Sequence, residues 1–116
     1  MRDLIKLFKS LSDGTRLRIL NILIERECCV CEVMQVLEIS QPSASRHLST
    51  LYEAGLLNVR REGIWTHYSI DWDGMPEYAR EVVKAVQLGL IDQKIAQSDR
   101  QKLSSITKQS MGCANA

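Results

Sequence analysis

A mainly α-helical domain with one small β-hairpin, arranged as a winged helix-turn-helix, is what this 116-residue sequence predicts. Three observations carry the prediction. Two short helical patterns flank a tight break at Glu38-Ile39-Ser40. Beyond Gly55 the hydrophobic period changes from about 3.6 to 2, the signature of a helix giving way to strands. After Pro76 a further apolar stripe begins, more than so small a core can use, which suits a twofold mate.

In chain order, Leu4, Ile5, Leu7, Phe8 and Leu11 recur at helical spacing and give a first helix ending near Leu11. Ser12-Asp13-Gly14 interrupts it, and Asp13 suits the N-cap of a second helix. That helix carries Leu17, Ile19, Leu20, Ile22, Leu23 and Ile24 on more than one side, so it belongs at the centre of the core. A short third helix opens near Cys31 and is marked by Val33, Val36 and Leu37. Ser40 caps the fourth, with Pro42 in its first turn, where a missing N–H costs nothing. Ala44, Leu48, Leu51 and Tyr52 are expected to face the core, and Gly55 stops the helix. Leu57–Glu62 and Ile64–Ile70 alternate as strands around a Glu62-Gly63 turn, forming the wing. Pro76 opens a helix striped by Tyr78, Ala79, Val82, Val83, Val86, Leu90 and Ile91. Residues 1–97 are assigned to the DNA-binding and dimerisation domain. Residues 98–116 are expected to give a weak extra helical turn and then a flexible polar tail carrying Cys113.

The net charge of +1 excludes a polybasic protein, so nucleic-acid binding must rest on locally placed cations. No apolar run approaches the roughly 20 residues needed to span a bilayer, and a cytoplasmic protein without membrane contact is expected. Cytosolic thiols stay reduced, and a cluster of them points to metal binding or redox chemistry more than to a structural disulfide.

The second helix of a helix-turn-helix presents its N-terminal residues to base edges in the major groove. Here those are Gln41, Ser43, Ser45, Arg46 and His47. Arg46 can fork onto guanine and Gln41 can pair with adenine, while the serines suit bases or phosphates. Arg60 and Arg61 on the wing, with His67, are placed to hold flanking phosphates or the minor groove. His47, beside Leu48, fits a packed and hydrogen-bonded role as well as a base reader.

Cys28, Cys29 and Cys31 crowd the entrance to the third helix. Thiolates select soft ions, and a helix N-terminus favours the thiolate form of Cys31. If all three were helical, Cys29 and Cys31 would point about 200° apart, whereas Cys28 and Cys31 could share an ion. Gathering all three would bend the first turn of the helix that supports the reader helix.

Together these segments resemble the ArsR/SmtB metalloregulatory repressors. The resemblance is carried by Leu11-Ser12-Asp13-Gly14-Thr15-Arg16-Leu17-Arg18-Ile19-Leu20, Cys29-Val30-Cys31-Glu32-Val33, Gln41 through Leu48 with Gly55-Leu56-Leu57, and Gly63 through Tyr68. It spans roughly Met1 to Ile70, and the helix from Pro76 fits the family's dimer helix. It implies a homodimer, joined through the first helix and the Pro76 helix, on an inverted repeat of double-stranded operator DNA, released by a ligand. In the family's arsenic sensors this helix begins Cys-Val-Cys-Asp-Leu-Cys. Cys29 and Cys31 match its first two thiols, Met34 replaces the third, and Cys28 or Cys113 completes the set. The implied inducer is As(III) or Sb(III). The family's zinc site on the last long helix needs His and carboxylate residues, and no His occurs between Asp71 and Gln97, so that site is not expected here. Three alternatives remain open: a thiol-redox repressor of the same fold, a Cd(II) or Pb(II) sensor, and, ranked low, a C-x-x-C thiol oxidoreductase.

Overall fold

The computed structural model describes residues 1–106. The elements run α1 (Arg2–Leu11), α2 (Gly14–Glu25), β1 (Cys28–Cys29), α3 (Val30–Leu37), α4 (Gln41–Glu53), β2 (Leu57–Glu62), β3 (Trp65–Ile70), α5 (Glu77–Leu90) and α6 (Lys94–Ser104). Asp13 caps α2 by accepting the Arg16 N–H at 3.0 Å, as its position before the apolar run suggested. The buried Ile19, Leu20, Ile22 and Leu23 make α2 the element on which the others are laid. α3 ends where Glu38 turns left-handed at φ 57°, and the Ile39 N–H returns to the Met34 carbonyl. Ser40 then caps α4 by accepting the Ser43 N–H at 3.2 Å. At the far end Gly55, at φ +84°, lets the Leu56 N–H reach back to the Leu51 carbonyl, which closes the helix.

Four expectations are corrected. The hairpin pairs Glu62 with Trp65, so its two-residue turn is Gly63-Ile64, one residue later than expected, with Gly63 supplying the positive φ. The wing is also wider than a hairpin. β1 adds to its edge in the order β1-β3-β2, with Cys28 opposite Tyr68 and Cys29 opposite His67. Tyr52 is half exposed instead of facing the core, because Leu48 and Leu51 already fill that side of α4.

The largest correction is α6. It is an eleven-residue helix that runs through the boundary expected at residue 97. Ala96, Asp99 and Leu103 face inward, and the buried Asp99 carboxylate takes a two-pronged bond from Arg18, at 2.8 Å from Nε and 3.0 Å from Nη2. Asn21 donates to the Ala96 carbonyl and accepts from Arg100. Packed structure therefore continues at least to Ser104. Cys113 and the rest of the expected tail lie outside the described residues.

The stripe after Pro76 is divided. Ala79 and Val83 are buried against the core, whereas Tyr78, Leu88 and Ile91 stay exposed, as do Leu4, Ile5 and Phe8 on α1. Among the described residues no helix is long and apolar enough to cross a membrane.

Candidate thiol site and nucleic-acid interface

Cys28, Cys29 and Cys31 do not all stand on a helix, and of the three Cys28 and Cys29 are free thiols. Cys28 and Cys29 form β1, where successive side chains take opposite faces, and only Cys31 lies within α3. The helical spacing argument for a Cys28–Cys31 pair therefore fails, because β3 captures the two preceding residues as a strand. Cys28 joins the hydrophobic core cluster, whereas Cys29 and Cys31, equally buried, stand outside it.

Cys29 is the N-cap of α3, with extended backbone at φ −81° and ψ 165°. Its N–H donates to the Glu32 carboxylate at 2.8 Å, and the Glu32 N–H is turned towards its sulfur, a reciprocal cap in which a thiol takes the usual hydroxyl's place. Glu32 is itself buried, and its second oxygen meets Arg26 Nη1 at 2.8 Å. Arg26 in turn donates to the Leu103 and Ile106 carbonyls at the end of α6. The thiol turn is thus tied to α6 through one guanidinium.

Burial, followed by the Glu32 carboxylate, pushes the Cys28 thiol up to about 12. Burial raises Cys29 too, opposed by the N–H of Glu32. Both thiols are protonated at neutral pH in this arrangement. In an unfolded chain Cys28 ionises near 9.0, so its share of stability is intact below that pH and declines as pH rises towards about 12. We expect Cys28→Ala to flatten the loss of stability over that window in chemical denaturation. Iodoacetamide at pH 8 should leave native Cys28 unmodified in peptide mass spectra while labelling it in denaturant. Among the described residues no three His, Cys, Asp or Glu side chains are gathered to hold an ion, so a set drawn from Cys28, Cys29 and Cys31 alone would have to be assembled by movement.

On α4, Arg46 is exposed and Gln41 Nε2 donates to Ser45 Oγ at 2.9 Å, which aligns both on the outer face. Ser43 is half buried at the first turn. His47 is also half buried, its Nδ1 3.2 Å from Arg16 Nη1, so Nδ1 is the acceptor. Burial lowers its pKa, Asp13 opposing. Arg16 continues to the Ser10 and Lys9 carbonyls and so joins α1 to α4.

The wing differs more from expectation. Arg60 is held by Glu27 at 2.7 and 3.2 Å, with Glu62 at 3.6 Å, so part of its charge is already matched. Arg61 is exposed and donates to Thr66 Oγ1 at 3.3 Å. His67 is enclosed, not presented, because its strand position turns it under the sheet opposite Cys29. The Glu27–Arg60 pair, unmarked by any local pattern, links the residue before β1 to the wing.

Residues 13–59 match the family described as bacterial regulatory protein, arsR family. Over 80 residues the chain is 45% identical to the arsenical resistance operon repressor of Escherichia coli, covering 68% of each. This chain belongs to the ArsR family. The family groups regulators, not enzymes, which removes the thiol oxidoreductase reading. The chain is also 46% identical over 80 residues to the arsenic resistance transcriptional regulator ArsR1 of Pseudomonas putida, covering 68% of this chain and 62% of that one. A third relative is the cadmium resistance transcriptional regulatory protein CadC homolog of Staphylococcus aureus, 40% identical over 83 residues, covering 71% of this chain and 65% of that one. This ArsR-family chain therefore spans somewhat under two thirds of two of these relatives. Among solved structures, the homodimeric winged helix-turn-helix DNA-binding domain of Mb0332 from Mycobacterium bovis superposes with a TM-score of 0.66 at 27% identity, covering 80% of this chain and 82% of that one. Reduced HlyU from Vibrio cholerae gives a TM-score of 0.66 at 28% identity, covering 79% and 92%. The fold is that of a winged helix-turn-helix, as its helices and three-stranded sheet display.

Proposed function

We propose that this ArsR-family protein is a cytoplasmic, metalloid-responsive transcriptional repressor. It binds an inverted repeat of operator DNA as a homodimer and releases it when As(III) or Sb(III) binds cysteine thiolates. One observation carries the reading: Cys29 caps the helix that packs beneath the reader helix, and its strand is also a strand of the wing.

Gln41, Ser43, Ser45, Arg46 and His47 face the major groove in this reading, with Arg60 and Arg61 at the flanking phosphates. Cys29 and Cys31 would hold the metalloid, with Cys28 or Cys113 as third ligand. The bound element supplies strong bonds to soft sulfur and nothing catalytic. To present its sulfur, Cys29 gives up the Glu32 N–H, so the α3 cap opens. The β1–β3 pairing and the Glu27–Arg60 bond are strained at the same time. Both DNA-facing elements, α4 and the wing, then lose their common support. Cys28 and Cys29 are buried free thiols, which argues against their direct oxidation, since exposed thiolates are what oxidants attack. The same sulfurs suit Cd(II) or Pb(II), which a direct comparison of inducers separates.

The test is fluorescence anisotropy of labelled operator, with arsenite, antimonite, Cd(II) and Pb(II) titrated separately under excess reductant, and peroxide titrated into reduced protein after the reductant has been removed. Release by the two metalloids at the lowest concentrations, without a peroxide response, is expected. Release by peroxide alone would replace this reading with the redox one.

The exposed Leu4, Ile5 and Phe8 on α1, with Tyr78, Leu88 and Ile91 around α5, provide the apolar surface for the dimer. Phe8→Glu should shift sedimentation from dimer to monomer and weaken operator binding together, because half-sites need a rigid pair.

A further inference from the structure

An open groove of about 380 Å³ runs between α1 and the second half of α4. Arg2, Lys6, Lys9 and Arg16 line it, with Thr50 and a single carboxylate, Glu53. At about 100° per residue, Arg2, Lys6 and Lys9 share one stripe of α1. That stripe lies apart from the exposed Leu4 and Phe8 and from the buried Leu7 and Leu11, while Ile5, which also lines the groove, marks its border with the apolar face. Among the described residues none of the three enters an ion pair. Arg16 anchors the shelf to the reader helix, through the Lys9 carbonyl at 3.3 Å and His47 at 3.2 Å. Thr50, whose hydroxyl donates to the Arg46 carbonyl, makes the groove continuous with the exposed face that bears Arg46.

Of the arginines expected at the interface, only Arg46 and Arg61 stand outside the ion pairs among the described residues. Arg60 is engaged by Glu27 and Glu62, and the net charge of the chain is only +1. A duplex whose major groove admits α4 brings its phosphate walls alongside that helix.

We propose that Arg2, Lys6 and Lys9 form a phosphate-backbone dock for duplex DNA, extending the contact from the reader helix onto α1. The proposal rests on the DNA-binding reading above. The dock is sequence-blind, because phosphates carry no base information. It provides the local cation density that so nearly neutral a chain requires.

The test is the salt dependence of binding by the full chain, measured on the operator and on an unrelated duplex of equal length. Each lost phosphate contact lowers the slope of log K against log salt by about 0.9. Lys6→Gln/Lys9→Gln, which alters two positions in each protomer of a dimer, should flatten the slope by about 2–4. It should weaken both duplexes by the same factor and leave the sedimentation of the dimer unchanged. Lys6→Arg/Lys9→Arg should restore the parent slope. An unchanged slope in the Gln variant, with the parent binding normally, overturns the dock alone. A parent chain that binds neither duplex overturns the DNA-binding reading and the dock with it.

Discussion

Cys29→Ser and Cys31→Ser should each keep operator affinity within about threefold of the parent yet abolish an arsenite response of about 10²-fold, a coupling near 2.7 kcal/mol. Affinity survives because serine is among the best N-cap residues, so Cys29→Ser retains the cap that the thiol now supplies to Glu32. The response fails because a hydroxyl is a hard donor that a soft ion passes over. Cys28→Ser separates the roles of the thiols. Its sulfur lies in the hydrophobic cluster, so the substitution brings a hydroxyl into the core and is expected to cost about 1–3 kcal/mol of stability. Anisotropy with and without arsenite, beside urea denaturation, reads both quantities. A normal response from Cys31→Ser would remove the thiol site from α3.

The second large effect is on stability. Arg18→Leu strands the buried Asp99 carboxylate and should cost about 3–5 kcal/mol. That is a large part of the roughly 5–15 kcal/mol a domain of this size possesses. The paired change Arg18→Leu/Asp99→Leu should recover most of the loss, since two apolar residues can replace a buried ion pair with little penalty. Denaturant midpoints of the two single variants and the double variant measure the coupling. Additive losses would mean that the two side chains act independently, against the short two-pronged contact between them.

The parts of the fold that local chemistry determines were legible in the sequence. Asp13 and Ser40 cap the helices they precede, Gly55 ends α4, and the alternation after Leu57 marks the wing. What escaped was set by partners distant in the chain. A two-residue strand such as β1 has no periodicity of its own and exists because β3 offers an edge. α6 hides its amphipathic stripe because Asp99 stands at an inward position, and its partner Arg18 is 81 residues away. The site divides the same way. Cysteine clustering and the polar face of α4 were readable, whereas the core position of Cys28, the Glu27–Arg60 bond and the Arg16–His47 contact required the folded chain.

Hydrogen exchange of the dimer with and without arsenite, resolved over β1 and the first turn of α3, examines the switch itself. Protection of the amides of Cys29, Glu32 and Val33 should fall when the metalloid binds, with a parallel loss across the β1–β3 rung. Undiminished protection in protein carrying a full complement of arsenic would mean that the ion is held without opening the cap, and the link from thiols to DNA would have to be sought elsewhere.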